Sequence, residues 1–232
     1  APEDLKAARL HYYAQVAWVD SQVGRVLHFL EESGRLENTA IVFGADHGNP
    51  IGETGAFGKH TFTPSVHRVP LIVSWPQALP TGRLREDINE SLDMARTFLG
   101  LAGIESPSQF QGRDLFSDPA PDQIYSTIGF GQHDSWLGPN GGSGRYYGDQ
   151  GWPRRSCIRT DRYRLGKNML IDGEKPAPEY EHIFLADVQN DPEEMVNLAD
   201  DPQHADVVEE LSAKLDTFAE GSVEVPHERL VR

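Results

Sequence analysis

Apolar residues recur at three- and four-residue spacing between Glu3 and Ser33: Tyr12, Tyr13, Val16, Val19, Val23, Val26, Leu27 and Leu30. That spacing puts them on one face of a long amphipathic helix, and Gly34 marks its C-terminal end. The pattern then changes. After a turn at Glu37-Asn38-Thr39, Ala40-Ile41-Val42-Phe43 is an unbroken apolar run, and Val69-Pro70-Leu71-Ile72-Val73 is a second. Short continuous runs predict strands buried on both faces, of the kind that build parallel sheets. Helix, tight turn and buried strand make half of a βαβ crossover. Ser91 to Ala102 predicts another helix with Leu92, Ala95, Phe98, Leu99 and Ala102 inward. Further on, Ile124 to Ile128 reads as a strand and residues 155–166 as a hairpin turning at Thr160-Asp161. Ile183 to Leu185 is a short strand. Val207 to Phe218 is a closing amphipathic helix with Val207, Val208, Leu211, Leu215 and Phe218 inward. A subdomain boundary is expected within residues 103–123.

Two buried strands are few for a parallel sheet, which usually has about four to six. The first helix also has no strand ahead of it to complete its crossover. The pattern therefore predicts the end of a longer α/β polypeptide. Composition narrows the classes. The 232 residues carry a formal charge of 21 − 36 = −15. A general binder of nucleic acid or anionic membrane needs a positive field, so neither is expected. No run approaches the roughly 20 apolar residues that span a bilayer. The single cysteine, Cys157, leaves no internal disulfide framework and no CxxC metal site.

Candidate chemistry gathers where the first strand ends. Asp46, His47 and Gly48 follow it, then Gly52, Gly55 and Gly58, then Lys59. In open α/β sheets ligands bind beyond the carboxyl ends of the strands. An Asp-His pair there can hold a metal, and a lysine a dozen residues on can reach an anion held by that metal. The same residues also read as a strand-ending turn, a flexible loop and a surface lysine. Adjacent strand residues face opposite sides, so both ligands reach one ion only if the strand stops at Gly48. Asp46 is a hard oxygen donor suited to Ca²⁺, Mg²⁺ or Mn²⁺, whereas His47 favours a softer ion. Residues 129–151 are rich in glycine and aromatics, the composition of a long functional loop. Within it, His133, Asp134 and Trp136 could line a sugar subsite. Seven basic residues (Arg145, Arg154, Arg155, Arg159, Arg162, Arg164, Lys167) lie among two acids, Asp149 and Asp161. They read as a patch steering an anionic substrate or as the solvated face of a hairpin.

The chain resembles the sulfatases of the alkaline-phosphatase superfamily, in their C-terminal half. The resemblance rests on an ordered set of stretches. These are Tyr13 to Val26, Glu37 to Gly48, Gly52-Glu53 with Gly58-Lys59-His60, Arg68 to Val73, Leu99 to Ile104, Gly112 to Leu115, Arg159 to Leu165, and Phe184 to Pro202. It implies the C-terminal part of an alkaline-phosphatase-like α/β sandwich over residues 1–110. Residues 111–232 would form a smaller antiparallel sheet with a closing helix. It implies that Asp46 and His47 ligate a divalent cation, usually calcium and manganese in related phosphonate hydrolases, and that Lys59 contacts the sulfate. His60 could donate a proton to the leaving oxygen or be a structural histidine, and Arg68 is expected to anchor its strand through a buried ion pair. The family's formylglycine motif, C-x-P-S-R, is absent, and Cys157 does not fit it. The nucleophile and remaining metal ligands are therefore expected from the N-terminal half of the same enzyme. The implied substrate is a sulfated small molecule or carbohydrate, in a periplasmic, secreted or lysosomal setting. A phosphodiesterase or phosphonate hydrolase of the same superfamily and a non-catalytic sulfated-sugar-binding fragment remain as alternatives.

Overall fold

The computed structural model describes residues 2–53, 59, 61–129, 154–171 and 174–221. His60, His133, Asp134, Trp136 and Arg145 lie outside them. By internal contacts the polypeptide divides into two compact units. The first holds residues up to Glu86 and Ser91–Phe116; the second holds Asp87–Glu90 and everything from Ser117.

The first unit opens with α1, Pro2–Glu32. Glu3 and Asp4 in its first turn complement the positive end of the helix dipole. Its apolar stripe lies open: Tyr13, Val16, Val19, Val26 and Leu27 are exposed, as are Trp18 and Phe29. A 3₁₀ turn, Leu36–Asn38, leads to β1, Ile41–Gly44. A short helix, α2 (Pro64–His67), precedes β2, Leu71–Ser74. β1 and β2 pair antiparallel, Ile41 opposite Ser74 and Gly44 opposite Leu71. This corrects the expected parallel pairing of strands buried on both faces. The connection from β1 runs through α2 and returns on the adjacent side, so the two apolar runs meet head to tail, and Phe43 and Ile72 remain exposed.

Helix α3, Asp93–Leu101, also departs from expectation. Leu92 and Phe98 are exposed, while Asp93 and Thr97 are buried. Asp93 Oδ1 accepts the backbone N–H of Arg113 at 2.9 Å, and Thr97 Oγ1 accepts that of Leu115 at 3.0 Å. The polar side of α3 is inward because it satisfies the backbone of the Gly112–Leu115 stretch, which has no strand partner. Phe98, Leu101 and Ala102 instead line a cavity of about 440 Å³ with Ala40, Val42 and Trp75.

The second unit is a four-stranded antiparallel sheet in sequence order: β3 (Gln123–Ile128), β4 (Arg154–Thr160), β5 (Tyr163–Leu170) and β6 (Phe184–Asp187). Helix α4, Ala205–Gly221, covers one face. Its Leu211 and Leu215 join Ile158, Leu165, Met169 and Leu185 in the core, with Val207, Val208 and Phe218 packed at the margin. The Phe218 ring stacks on Tyr125 at 4.2 Å.

Residues 191–198 cover the opposite side and the free edge of β6. Asn197 Oδ1 accepts the N–H of Leu185, and Asn197 Nδ2 donates to the Ile183 carbonyl. Glu194 sits buried between Arg159 and Arg164. An edge whose polar groups are met in this way does not pair with another chain.

Candidate functional site

β1 ends at Gly44, and the chain turns so that Asp46 and His47 leave on the same side. Gly48 makes the turn fit. A Cβ there would stand 1.9 Å from the Ser65 carbonyl oxygen, and the Gly48 N–H donates to the Val66 carbonyl at 2.7 Å. The loop is thus tied to α2 directly after the histidine. Gly52 has φ +88°, a conformation that other residues rarely adopt.

Asp46 and His47 share one small region. Asp46 Oδ1 accepts the His47 backbone N–H at 2.9 Å, and Asp46 Oδ2 lies 3.3 Å from His47 Nε2. His47 Nδ1 is 2.9 Å from the Gly48 carbonyl oxygen. A carbonyl can only accept, so Nδ1 carries the proton and Nε2 keeps its lone pair. Lys59 returns across twelve residues to place Nζ 2.8 Å from that nitrogen. A carboxylate oxygen, an imidazole lone pair and an ammonium therefore converge within 3.3 Å. The Asp46 carboxylate is 84% exposed and the His47 ring 34%, so the cluster opens outward. Exposed charge pairs contribute at most about 1 kcal/mol; the backbone ties of the loop, not these bonds, hold the groups together.

The donor set fits a divalent cation. Asp46 offers hard oxygen, His47 an oriented lone pair, and the Gly48 carbonyl fixes the tautomer by holding the other ring nitrogen, as the hydrogen-bond partners of metal-binding histidines do. Two ligands do not complete a sphere, and among the described residues no group of three or more His, Cys, Asp or Glu side chains could hold a metal.

Other expected residues fall elsewhere. Arg68 is exposed rather than buried in an ion pair, since the strand it precedes begins only at Leu71. Adjacent His67 sets its ring edge-on against Phe62 at 5.3 Å. Four residues of the basic cluster are engaged by carboxylates of the second unit. Arg162 pairs with Asp187, Arg159 and Arg164 with Glu194, and Lys167 with Asp216 at 2.8 Å. Arg164 and Lys167 are buried. Their charges are spent inside the second unit because β4 and β5 run through its middle. Cys157 is structural: 1% exposed, its thiol pushed up to about 12 by burial.

Two more residues lie near the site: Arg9, which had no sequence signal, and Glu53, which the resemblance included without a role. Arg9 Nε of α1 donates to the Ile51 carbonyl at 3.0 Å, and Glu53 Oε2 accepts the Ile51 N–H at 2.7 Å.

Residues 2–104, which contain the Asp46–His47–Lys59 cluster, match the sulfatase family profile. Across 104 residues the chain is 42% identical to the N-acetylglucosamine-6-O-sulfatase of Bacteroides thetaiotaomicron, covering 45% of this chain and 19% of that protein. Over residues 2–104 the chain is a sulfatase-family sequence, similar to the sulfatases of the alkaline phosphatase superfamily. Solved sulfatase-like folds extend the match beyond residue 104. A protein in complex with its substrate D-glucosamine-2-N,6-O-disulfate superposes with a TM-score of 0.66 at 27% identity, over 88% of this chain and 39% of that one. The phosphonate monoester hydrolase of Agrobacterium radiobacter superposes with a TM-score of 0.76 at 25% identity, over 95% and 42%. The fold of the chain is therefore the α/β alkaline-phosphatase-like one. The chain spans about two fifths of the solved relatives and one fifth of the curated relative named here.

Proposed function

We propose that this chain is the C-terminal portion of a metal-dependent sulfatase that hydrolyses sulfate esters of a carbohydrate or small molecule. The observation that carries the reading is the convergence of Asp46, His47 Nε2 and Lys59 Nζ beyond the end of β1. Asp46 and His47 would hold the cation, calcium before manganese or magnesium. When bound, such an ion polarises the sulfate oxygens and favours the deprotonated nucleophile. His47 keeps its proton on Nδ1, engaged by the Gly48 carbonyl, and so serves as a ligand rather than a proton carrier. Lys59 neutralises oxygen charge that builds toward the leaving side. The nucleophile, a formylglycine, belongs to an N-terminal half of the enzyme, because buried Cys157 cannot serve. His60 as donor to the leaving oxygen, and His133 and Trp136 as a sugar subsite, complete the proposal. The expected setting is periplasmic, secreted or lysosomal.

The test uses the polypeptide that carries both halves, assayed on an aryl sulfate. Lys59→Met should lower kcat/KM by about 10²–10³-fold, the usual loss for one charge-stabilising donor. Chelation should abolish turnover and added calcium restore it. Unchanged turnover in Lys59→Met sinks the assignment. A second reading, phosphonate monoester hydrolysis, is favoured by the superposition over 95% of the chain on such an enzyme. The ratio of kcat/KM on aryl sulfate to that on an aryl phosphonate monoester separates the two.

A further inference from the structure

The turn that follows His47 is held from more than one side. The Gly48 N–H bond to Val66 ties the loop's start to α2. Three residues later Ile51 has both backbone groups engaged by side chains. Glu53 Oε2 takes its N–H from within the loop, and Arg9 Nε, 42 positions earlier in the chain, donates to its carbonyl. Gly52 then turns with positive φ. Arg9 is half-buried on a helix whose large apolar side chains are mostly exposed. Its guanidinium plane aims Nε sideways, a fixed geometry that suits a clamp.

The geometry points to Arg9 as a positioning residue: by holding the Ile51 carbonyl against α1, it fixes the Gly48–Glu53 turn that follows His47. Arg9 touches neither Asp46, His47 nor Lys59 through any hydrogen bond among the described residues. It acts through backbone. Free, the turn after His47 would sample many backbone conformations, and pinning it at Ile51 removes much of that freedom. Precision at the site follows, since misplacing a charge by about 1 Å is costly in catalysis. The importance of this clamp rests on the reading of Asp46, His47 and Lys59 as metal and anion groups; the clamp itself does not.

The experiment compares isotope-labelled wild type, Arg9→Gln, Arg9→Lys and Arg25→Gln. Arg25, exposed on the same helix and bonded to Gln22, is the control. Backbone order parameters are measured at Ile51, Gly52 and Glu53, along with the ring ¹⁵N shifts of His47. Calcium chloride is then titrated by calorimetry. In Arg9→Gln the order parameters should fall from about 0.85 to below about 0.6. The His47 signals should move, calcium affinity should drop about five- to tenfold, and β5 and α4 should stay unchanged. Arg9→Lys, which keeps one donor, should retain most of the wild-type behaviour, and Arg25→Gln all of it.

A loop and a His47 ring in Arg9→Gln identical to wild type overturn the inference. So does a general loosening that reaches β5 and α4, which would make Arg9 merely structural. A loosened loop that binds calcium as well as wild type removes the positioning role. Wild type that takes up no calcium, with a loop that still loosens only in Arg9→Gln, removes the metal reading and leaves the clamp standing.

Discussion

Asp187 closes β6 with a carboxylate that accepts from Arg162 at 2.8 and 3.0 Å, from Asn190 Nδ2 at 2.8 Å, and from the backbone of Gln189. The Arg162 bonds come first in holding its pKa down to about 2, from an ordinary 3.8. A lowered acid pKa stabilises the fold above the unfolded value and stops doing so as pH falls through the folded one. Wild type should therefore lose stability as pH drops from about 4 to 2. Asp187→Asn should be less stable at pH 7 and lack that part of the acid dependence, as read by denaturant midpoints across pH. At this scale the sequence was legible where chemistry follows chain order. Asp46 and His47 are neighbours at a strand end, and Lys59 follows a glycine-rich loop of fitting length. It was not legible where a side chain answers distant backbone. Nothing near Arg9 points to Ile51, and nothing in the run of basic residues points to Glu194 or Asp216. Charges can be counted along a chain, whereas their partners come only with the fold.

Elements were readable to the extent that one face of each meets a core. α4 carries its inward residues as expected, and its two deepest, Leu211 and Leu215, are 3% and 0% exposed. Leu215→Ala should cost about 2–5 kcal/mol, the range for an aliphatic side chain removed from a packed interior. Thermal or denaturant unfolding followed by circular dichroism checks this. α3 shows why period alone misleads. Its spacing of Leu92, Ala95, Phe98, Leu99 and Ala102 is helical, but spacing cannot show which side is enclosed. Asp93 and Thr97 are inward because the Gly112–Leu115 backbone needs acceptors. β1 and β2 were found as strands. Their antiparallel pairing was not, because an apolar run has no direction in it.

For the molecule as a whole, α1 is the unusual part: a 31-residue helix with its apolar stripe largely in water. Exposed apolar area of this extent marks an interaction surface, in keeping with a chain that spans about two fifths of its solved relatives. Val16 and Val26 are 51% and 59% exposed. Changing both to glutamate in this chain should move unfolding by no more than about 0.5 kcal/mol, while binding of an apolar dye falls. A large loss of stability would mean that the stripe packs within this chain. The second unit has the opposite character, and its order of assembly has a consequence during synthesis. Its sheet is laid down strand by strand, each beside the last, but among the described residues the apolar face over Ile158, Leu165 and Leu185 is closed chiefly by α4. At about 5–20 residues per second a ribosome needs about 2–7 s to pass from Asp187 to Gly221. For those seconds a nearly finished sheet shows an open hydrophobic side, and a nascent-chain chaperone has its opening there.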